Sequence, residues 1–319
     1  MEIGKTIGLE YGAPTRNAFG EQLAELGRQN ENIVVIDGDV NDSTRTKFFK
    51  QKYPDRFFNV GIAESNLVGV ASGMAASGKQ VLAASFAAFL LCNAYDQIRM
   101  GIAYPNLNVK LVGSHSGISV GEDGPSQMAI EDLALAASFP NFTVLVPADE
   151  AATRWATAAM FEHEGPVYLR TGRPAVPRIH SDDTQFELGK ALTVREGGDL
   201  TIIACGLMVA AALEAADTLS KDGIEARVLD MHTVKPVDQD AIIKAARETG
   251  HIVTAEEHSI VGGLGAAVAQ IATRHHPVPM VFVAIMDQYA ESGDPDALFD
   301  KYGISPAHIV QAAKEVLSK

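Results

Sequence analysis

The chain reads as an α/β protein of two domains, each a mostly parallel sheet covered by helices. Three observations predict this. Short apolar runs alternate with longer helical patterns through almost the whole sequence, which is how parallel strands buried on both faces appear. The alternation breaks once, at Arg173-Pro174-Ala175-Val176-Pro177 and the polar run Ser181-Asp182-Asp183-Thr184, a plausible linker. The length, 319 residues, is long for one core and comfortable for two. Domains are expected at 1–186 and 187–319.

In the first domain the expected strands are Ile33–Ile36, Phe57–Val60, Val81–Ala84, Val109–Gly113, Thr143–Val146 and Val167–Arg170. Helical periodicity falls on Arg16–Gln29, Ser65–Ser77, Phe86–Ala103, Ile130–Ser138 and Glu150–His163, with Asp149 placed as a helix cap after Pro147. The second domain repeats the pattern. Its strands are Leu200–Cys205, Ala226–Asp230, Ile252–Ala255 and Val281–Ala284. Its helices are Val209–Lys221, Asp238–Thr249, Leu264–Arg274 and a last one ending near Lys319.

Composition narrows the function classes. Hydrophobic residues make up 47% and aromatics 7%, so the core is aliphatic. The formal net charge of -14 argues against a nucleic-acid or anionic-membrane surface, so an anionic substrate needs a local basic pocket. The most apolar run, Val81 to Tyr95, is shorter than the ~18 residues of a membrane span. Met1 to Gly12 lacks the apolar segment of a targeting signal. Cys92 and Cys205 sit in apolar runs and read as buried thiols of a reducing compartment. A cytoplasmic protein is expected.

Ligands of such sheets bind beyond the carboxyl ends of the strands. Gly61-Ile62-Ala63-Glu64-Ser65-Asn66 lies at one such end. A carboxylate held dry there can relay a proton; a plain first-turn Glu favoured by the helix dipole is the alternative. Ser114 to Gln127 is a fourteen-residue stretch without helical period, rich in Gly, Ser and acids, and a loop of that length in a compact domain is usually functional. Its His115 suits phosphate or hydroxyl binding, or proton transfer. Asp123 is equally a turn residue beside Gly124-Pro125. Phe86 and Phe89 are core residues or the walls of a slot for a flat heterocycle.

Taken together, Gly61-Ile62-Ala63-Glu64, Phe86 with Phe89, Gly121-Glu122-Asp123-Gly124-Pro125, Val234-Lys235-Pro236, and Glu257-His258-Ser259 with Gly262-Gly263 resemble the carboxyl-terminal part of a transketolase. That family uses thiamine diphosphate to move two-carbon ketol units between sugar phosphates. The resemblance covers essentially the whole chain, as a pyrimidine-binding domain and a C-terminal domain. It implies that Glu64 faces N1′ of the cofactor's aminopyrimidine, sharing a proton that favours the imino tautomer, whose 4′ nitrogen removes the reactive C2 proton. It implies that Phe86 and Phe89 bracket that ring, with Cys92 where the family has a third aromatic residue. Asp39 matches an aspartate near the thiazolium. His115 and Asp123 match residues touching sugar hydroxyls. Arg16, Ser43 and Arg173 match a sugar-phosphate clamp, and Arg170 lies close enough to Arg173 to be the ligand instead.

Two departures stand out. Gln127 occupies a position where many transketolases have His, and Gln cannot be a cation or a general acid. Nor is there a Gly-Asp-Gly diphosphate and metal motif; Asp37-Gly38-Asp39 is a lookalike at the wrong strand. No metal ligands are therefore assigned to this chain. The resemblance implies the smaller subunit of a split transketolase, with magnesium and diphosphate bound mainly by a diphosphate-binding partner, in an α2β2 heterotetramer. The β subunit of a 2-oxoacid dehydrogenase and a 1-deoxyxylulose-phosphate synthase piece are the alternative enzymes. A non-catalytic half of an electron-transfer flavoprotein is the alternative from another class.

Overall fold

The computed structural model describes residues 2–319. In chain order the strands are β1 (Tyr11–Pro14), β2 (Ile33–Asp37), β3 (Phe57–Asn59), β4 (Gln80–Phe86), β5 (Val109–Ser114), β6 (Thr143–Leu145), β7 (Val167–Arg170), β8 (Ala175–Pro177), β9 (Leu192–Arg195), β10 (Leu200–Ala204), β11 (Ala226–Asp230), β12 (Thr233–Lys235), β13 (Ile252–Ser259) and β14 (Met280–Ile285). Two sheets carry the fold. One has seven strands in the order β12-β6-β7-β5-β4-β2-β3, the other five in the order β14-β13-β10-β11-β9. Pairing within them is parallel except where β12 meets β6 and β9 meets β11. The central strands β2 and β5 are buried at every residue, as near-continuous apolar strands under helices on both faces must be.

The ten strands expected from sequence all form, within two residues at either end except for β13, which runs on to Ser259. Four short strands were not anticipated: β1, β8, β9 and β12. Each is only three or four residues long, too short for a period-two pattern to stand out. The single helix expected over Phe86–Ala103 is also corrected. It breaks into Ala87–Asn93, Tyr95–Ile98 and a π turn Arg99–Ala103. Ala94 leaves helical geometry (φ -111°, ψ 16°). The Asn93 carbonyl instead accepts from Ser65 Oγ at 3.0 Å, and its side chain reaches Glu64. Cys205 is buried as expected, whereas Cys92 is exposed.

The segment read as a linker is tied down at several points. Strand β8 pairs antiparallel with β1. The carboxylate of Asp149, cap of the helix Glu150–Glu162, accepts from the backbone N–H of Ala152, Ile179 and His180 at 2.9, 2.8 and 2.7 Å. The His180 imidazole lies between Asp149 Oδ2 (3.2 Å) and Asp230 Oδ2 (3.4 Å). Phe186 then stacks on Trp155, with centroids 5.1 Å apart. Charge explains why a polar stretch is ordered here: among the described residues, the His180 imidazolium is the counter-charge that faces the fully buried Asp230.

Burial works against that imidazolium, but the Asp149 contact and the Asp230 charge outweigh it, raising His180 above its ordinary value. Burial likewise pushes Asp230 up to about 7, while neighbouring His232 is pushed down to about 4 by burial and by His180. A raised histidine stabilises the fold below its unfolded value of 6.5 and loses that contribution as pH climbs through its folded value. The His180 ring should therefore titrate above the ordinary value of 6.5 when followed by NMR, and a titration at or below that value would mean that the two carboxylates do not hold an imidazolium in the fold.

One apolar cluster runs through both domains. It joins Val144, Val146, Leu133 and Phe142 of the first to Ile203, Leu229, Met231 and Leu264 of the second. The second domain is thus a fixed wall beside the carboxyl ends of the first sheet.

Candidate functional site

The site grows from the carboxyl ends of β2, β3, β4, β5 and β7. After β3, Gly61 takes a left-handed turn (φ 77°) and the helix Glu64–Ala76 begins. Glu64 is its first residue, 6% exposed. Its Oε1 accepts from Ser85 Oγ at 3.2 Å and its Oε2 faces Asn93 Nδ2 at 3.5 Å. The carboxylate is buried and carries no cationic partner among the described residues. Just outside it, Ile62 is 78% and Phe58 37% exposed.

Phe86 closes β4 and Phe89 lies on the helix that follows. Their rings are nearly parallel (7°) with centroids 5.8 Å apart. A flat heterocycle between two parallel rings would need about 7 Å. The space between the two rings is therefore too narrow for a third ring. The other neighbour of Phe86 is His115, stacked on it at 4.0 Å and 12°.

His115 follows β5 with φ 60° and is 3% exposed. Its Nδ1 pairs with Ser114 Oγ at 2.7 Å and its Nε2 with Arg16 Nη1 at 3.2 Å. Burial, then Arg16, Arg173 and Arg45, push its pKa down to about 3. At neutral pH it is an uncharged imidazole with both ring nitrogens engaged, Nδ1 with Ser114 and Nε2 with Arg16.

Arg16 stands in the first turn of the helix Thr15–Gln29. Its Nη1 also donates to the Ser43 carbonyl at 3.1 Å, while its Nε is buried with no partner. Burial, then Arg45 and Arg173, push its pKa down to about 10. Arg173 Nη1 donates to Asp123 Oδ1 and to the Val120 carbonyl, both at 3.0 Å. Arg16, Ser43, His115, Asp123 and Arg173 are thus drawn into one cluster. Asp39 stands apart, exposed with φ 65°, its Oδ1 accepting from Asn59 at 2.5 Å. Its neighbour Gly38 brings that turn close to Ser85. The Gln127 side chain accepts from Ser126 Oγ at 2.5 Å, its backbone N–H donates to the Gly124 carbonyl at 3.1 Å, and it joins no member of the cluster by hydrogen bonding among the described residues.

Arg170 is not available as the anion ligand. It is buried, with Nε and Nη2 on Asp132 at 2.9 and 3.1 Å and Nη2 also on the carbonyls of Ala129 and Glu257. Burial opposes its charge, but Asp132 and Glu257 outweigh that and keep it charged.

Three supports were not foreseen. Asp37, fully buried at the end of β2, accepts from Val40 N, Thr44 Oγ1 and Thr46 Oγ1, each at 2.7 Å. It thereby folds the loop that carries Asp39 and Ser43. Arg45, in the same loop, adds charge near Arg16 and His115; its basic side chain two residues past Ser43 was the available signal. Glu257 of the second domain accepts from Ser119 N at 2.5 Å, against Gly117, where a Cβ would lie 2.2 Å from the carboxyl carbon. The loop bearing His115 and Asp123 is thus set by the neighbouring domain.

Residues 12–178 match the family described as transketolase, pyrimidine binding domain, and residues 189–309 match transketolase, C-terminal domain. The chain belongs to the transketolase family. It is similar to the 6-deoxy-6-sulfo-D-fructose transketolase subunit SqwH of Clostridium sp. (strain MSTE9), 42% identical over 304 residues, covering 95% of this chain and 94% of that one. It is 39% identical to a subunit of the apulose-4-phosphate transketolase of Phocaeicola vulgatus, over 95% of this chain and 97% of that one. Among solved structures, a split gene transketolase described as an inactive beta4 tetramer superposes with a TM-score of 0.91 and 48% identity, covering 96% of this chain and 99% of the other. The transketolase is therefore of the split kind: this chain is a C-terminal subunit of a transketolase-type transferase that works with a partner subunit, and its family uses thiamine diphosphate. Among the described residues no group of three His, Cys, Asp or Glu could hold a metal, and no helix is long and apolar enough to cross a membrane.

The residues present fit an aminopyrimidine. A buried carboxylate, the aromatic pair that begins at the residue after its Ser85 partner, and the exposed apolar edge of Ile62 would supply a proton partner, a stacking surface and a place for the rest of the pocket to dock.

Proposed function

We propose that this chain supplies the pyrimidine side of a two-subunit transketolase that moves a two-carbon ketol unit between sugar phosphates. The observation that carries the reading is the continuous row from Glu64 through Phe86 and His115 to Arg16. A proton-relay carboxylate and an anion clamp sit at opposite ends of that row, in a chain that is otherwise acidic. A 2-oxoacid dehydrogenase needs no such clamp. The proposed roles are Glu64 for proton relay, Phe86, Phe89 and Asp39 for the cofactor, and Arg16, Ser43, His115, Asp123, Arg173 and Gln127 for the sugar.

Thiamine diphosphate, when bound, supplies the nucleophilic carbon. Glu64 holds a proton opposite the pyrimidine nitrogen, and Ser85 and Asn93 fix the direction in which that proton is offered. His115, neutral and pinned between Phe86 and Arg16, orients a sugar hydroxyl. The guanidiniums draw the distal anion and so place the carbonyl end of the sugar near Glu64. The divalent metal and diphosphate are assigned to the partner, whose docking would cover Ile62 and Phe58. The assembly is proposed as a cytoplasmic α2β2 heterotetramer, with this chain divided at 186/187.

The test is reconstitution. The purified chain should turn over no ketose with thiamine diphosphate and magnesium, and should gain activity when the diphosphate-binding subunit is added. Ketol transfer by the lone, homogeneous chain would overturn the reading. In the reconstituted enzyme, Arg16→Ala and Arg173→Ala should each raise KM for phosphorylated sugars about ten- to a hundredfold while changing that for hydroxypyruvate far less. Equal losses with both donors would assign these residues a structural role.

A further inference from the structure

The helix Thr15–Gln29 does more than present Arg16. Its next residue, Asn17, accepts from Arg45 Nε at 2.6 Å. Gly20, one turn on, receives the Arg45 backbone: a Cβ there would lie 2.6 Å from the Arg45 carbonyl oxygen and 2.7 Å from the Arg45 Cβ. Arg45 has φ 68°, a conformation a residue with a β-carbon adopts only when its surroundings impose it. Its Nη1 donates to the Asp42 carbonyl at 2.6 Å. The nearest carboxylate in sequence, Asp42, is paired with Lys47 at 2.7 Å. Arg45 is thus held by one amide oxygen, one carbonyl and a glycine seat, with no carboxylate in direct ion-pair contact among the described residues; Asp42 feels its charge but turns its carboxylate to Lys47. An arginine needed only for packing would more easily be a neutral residue here.

Three guanidiniums lie close enough to act on one another and on His115, and of the three only Arg173 has a carboxylate in ion-pair contact among the described residues, Asp123 at 3.0 Å and the exposed Glu122 at 3.9 Å. The buried, unpartnered Nε of Arg16 is a further unused donor. The three cations outnumber the carboxylates of Asp123 and Glu122, leaving a net positive end that attracts a doubly charged terminus more strongly than a singly charged one.

We propose that Arg45, seated on Gly20 and aimed by Asn17, is a third cation of the anion clamp and sets a preference for sugars ending in a phosphate monoester over those ending in a singly charged group. This rests on the reading of Arg16 and Arg173 given above.

The experiment uses the reconstituted two-subunit enzyme. Donors are fructose 6-phosphate, its 6-deoxy-6-sulfo analogue and hydroxypyruvate. In Arg45→Gln the ratio of kcat/KM for fructose 6-phosphate to that for hydroxypyruvate should fall about ten- to a hundredfold, through KM. Arg45→Lys should recover part of it. Gly20→Ala, which displaces Arg45 without removing charge, should move the ratio the same way. The wild type should prefer the phosphate to the sulfonate, and Arg45→Gln should shrink that preference. An unchanged ratio, equal losses on all donors, or a wild-type preference for the sulfonate would overturn the inference. Arg16→Ala and Arg173→Ala run alongside separate the two levels. If they shift the ratio and Arg45→Gln does not, the clamp stands and Arg45 is outside it. If none shifts it, the clamp reading fails as well.

Discussion

Glu64→Gln should lower turnover of the reconstituted enzyme by about 10²- to 10⁴-fold while leaving melting temperature and subunit assembly near those of the wild type. The substitution keeps the shape. An amide oxygen still accepts from Ser85, as the carboxylate does at 3.2 Å. What is lost is the ability to take up and return a proton. The group is 6% exposed, so water cannot readily substitute for it. Single-turnover kinetics on the variant complex would locate the loss in the step before ketose addition. A variant retaining near-native rate would reduce Glu64 to the first residue of a helix.

The second large effect concerns stability. Asp132 accepts from Tyr168 OH at 2.7 Å and from Arg170 at 2.9 and 3.1 Å, all in the interior. Arg170 also binds the carbonyls of Ala129 and Glu257, so it rivets β7, the helix Asp132–Ser138 and β13 together across the domain boundary. Asp132→Ala strands a buried guanidinium and should cost about 3–5 kcal/mol. Replacing both partners, as Asp132→Leu with Arg170→Met, should not restore full stability, because Arg170 also serves the carbonyls of Ala129 and Glu257 and is the counter-charge of the buried Glu257 carboxylate. Urea denaturation of the three chains measures this; an Asp132→Ala loss below about 1 kcal/mol would show that water reaches Arg170.

What could be read from sequence followed physical signal strength. Apolar strands such as Ile33–Asp37 and Val109–Ser114 announce themselves, since every residue is buried. The positions of Glu64, Phe86 and His115 beyond the ends of strands were legible because each follows an apolar run that stops at a small-residue segment. The partners of Arg170 were not legible: Asp132 lies 38 residues away in the chain, and nothing local distinguishes a buried arginine from a ligand-binding one. His180 was hidden for the same reason. A polar run reads as solvated until the fold brings Asp149 and Asp230 to either side of it. Arg45 was passed over because its meaning lies in Asn17 and Gly20, on another element.

Strand β12 belongs by sequence to the second half of the chain and by hydrogen bonding to the first sheet, where Thr233 pairs with Leu145 and Lys235 with Val144. Lys235 then caps the helix Asp132–Ser138 through the carbonyls of Ala137 and Phe139. The two halves are therefore not interchangeable modules. A fragment ending at the linker would leave β6 as a bare edge, with unpaired amides beside apolar side chains, a template for pairing with other copies. Recombination that exchanged only one half with a distant relative would have to rebuild that seam, so the two halves are constrained to be inherited, expressed and redesigned together.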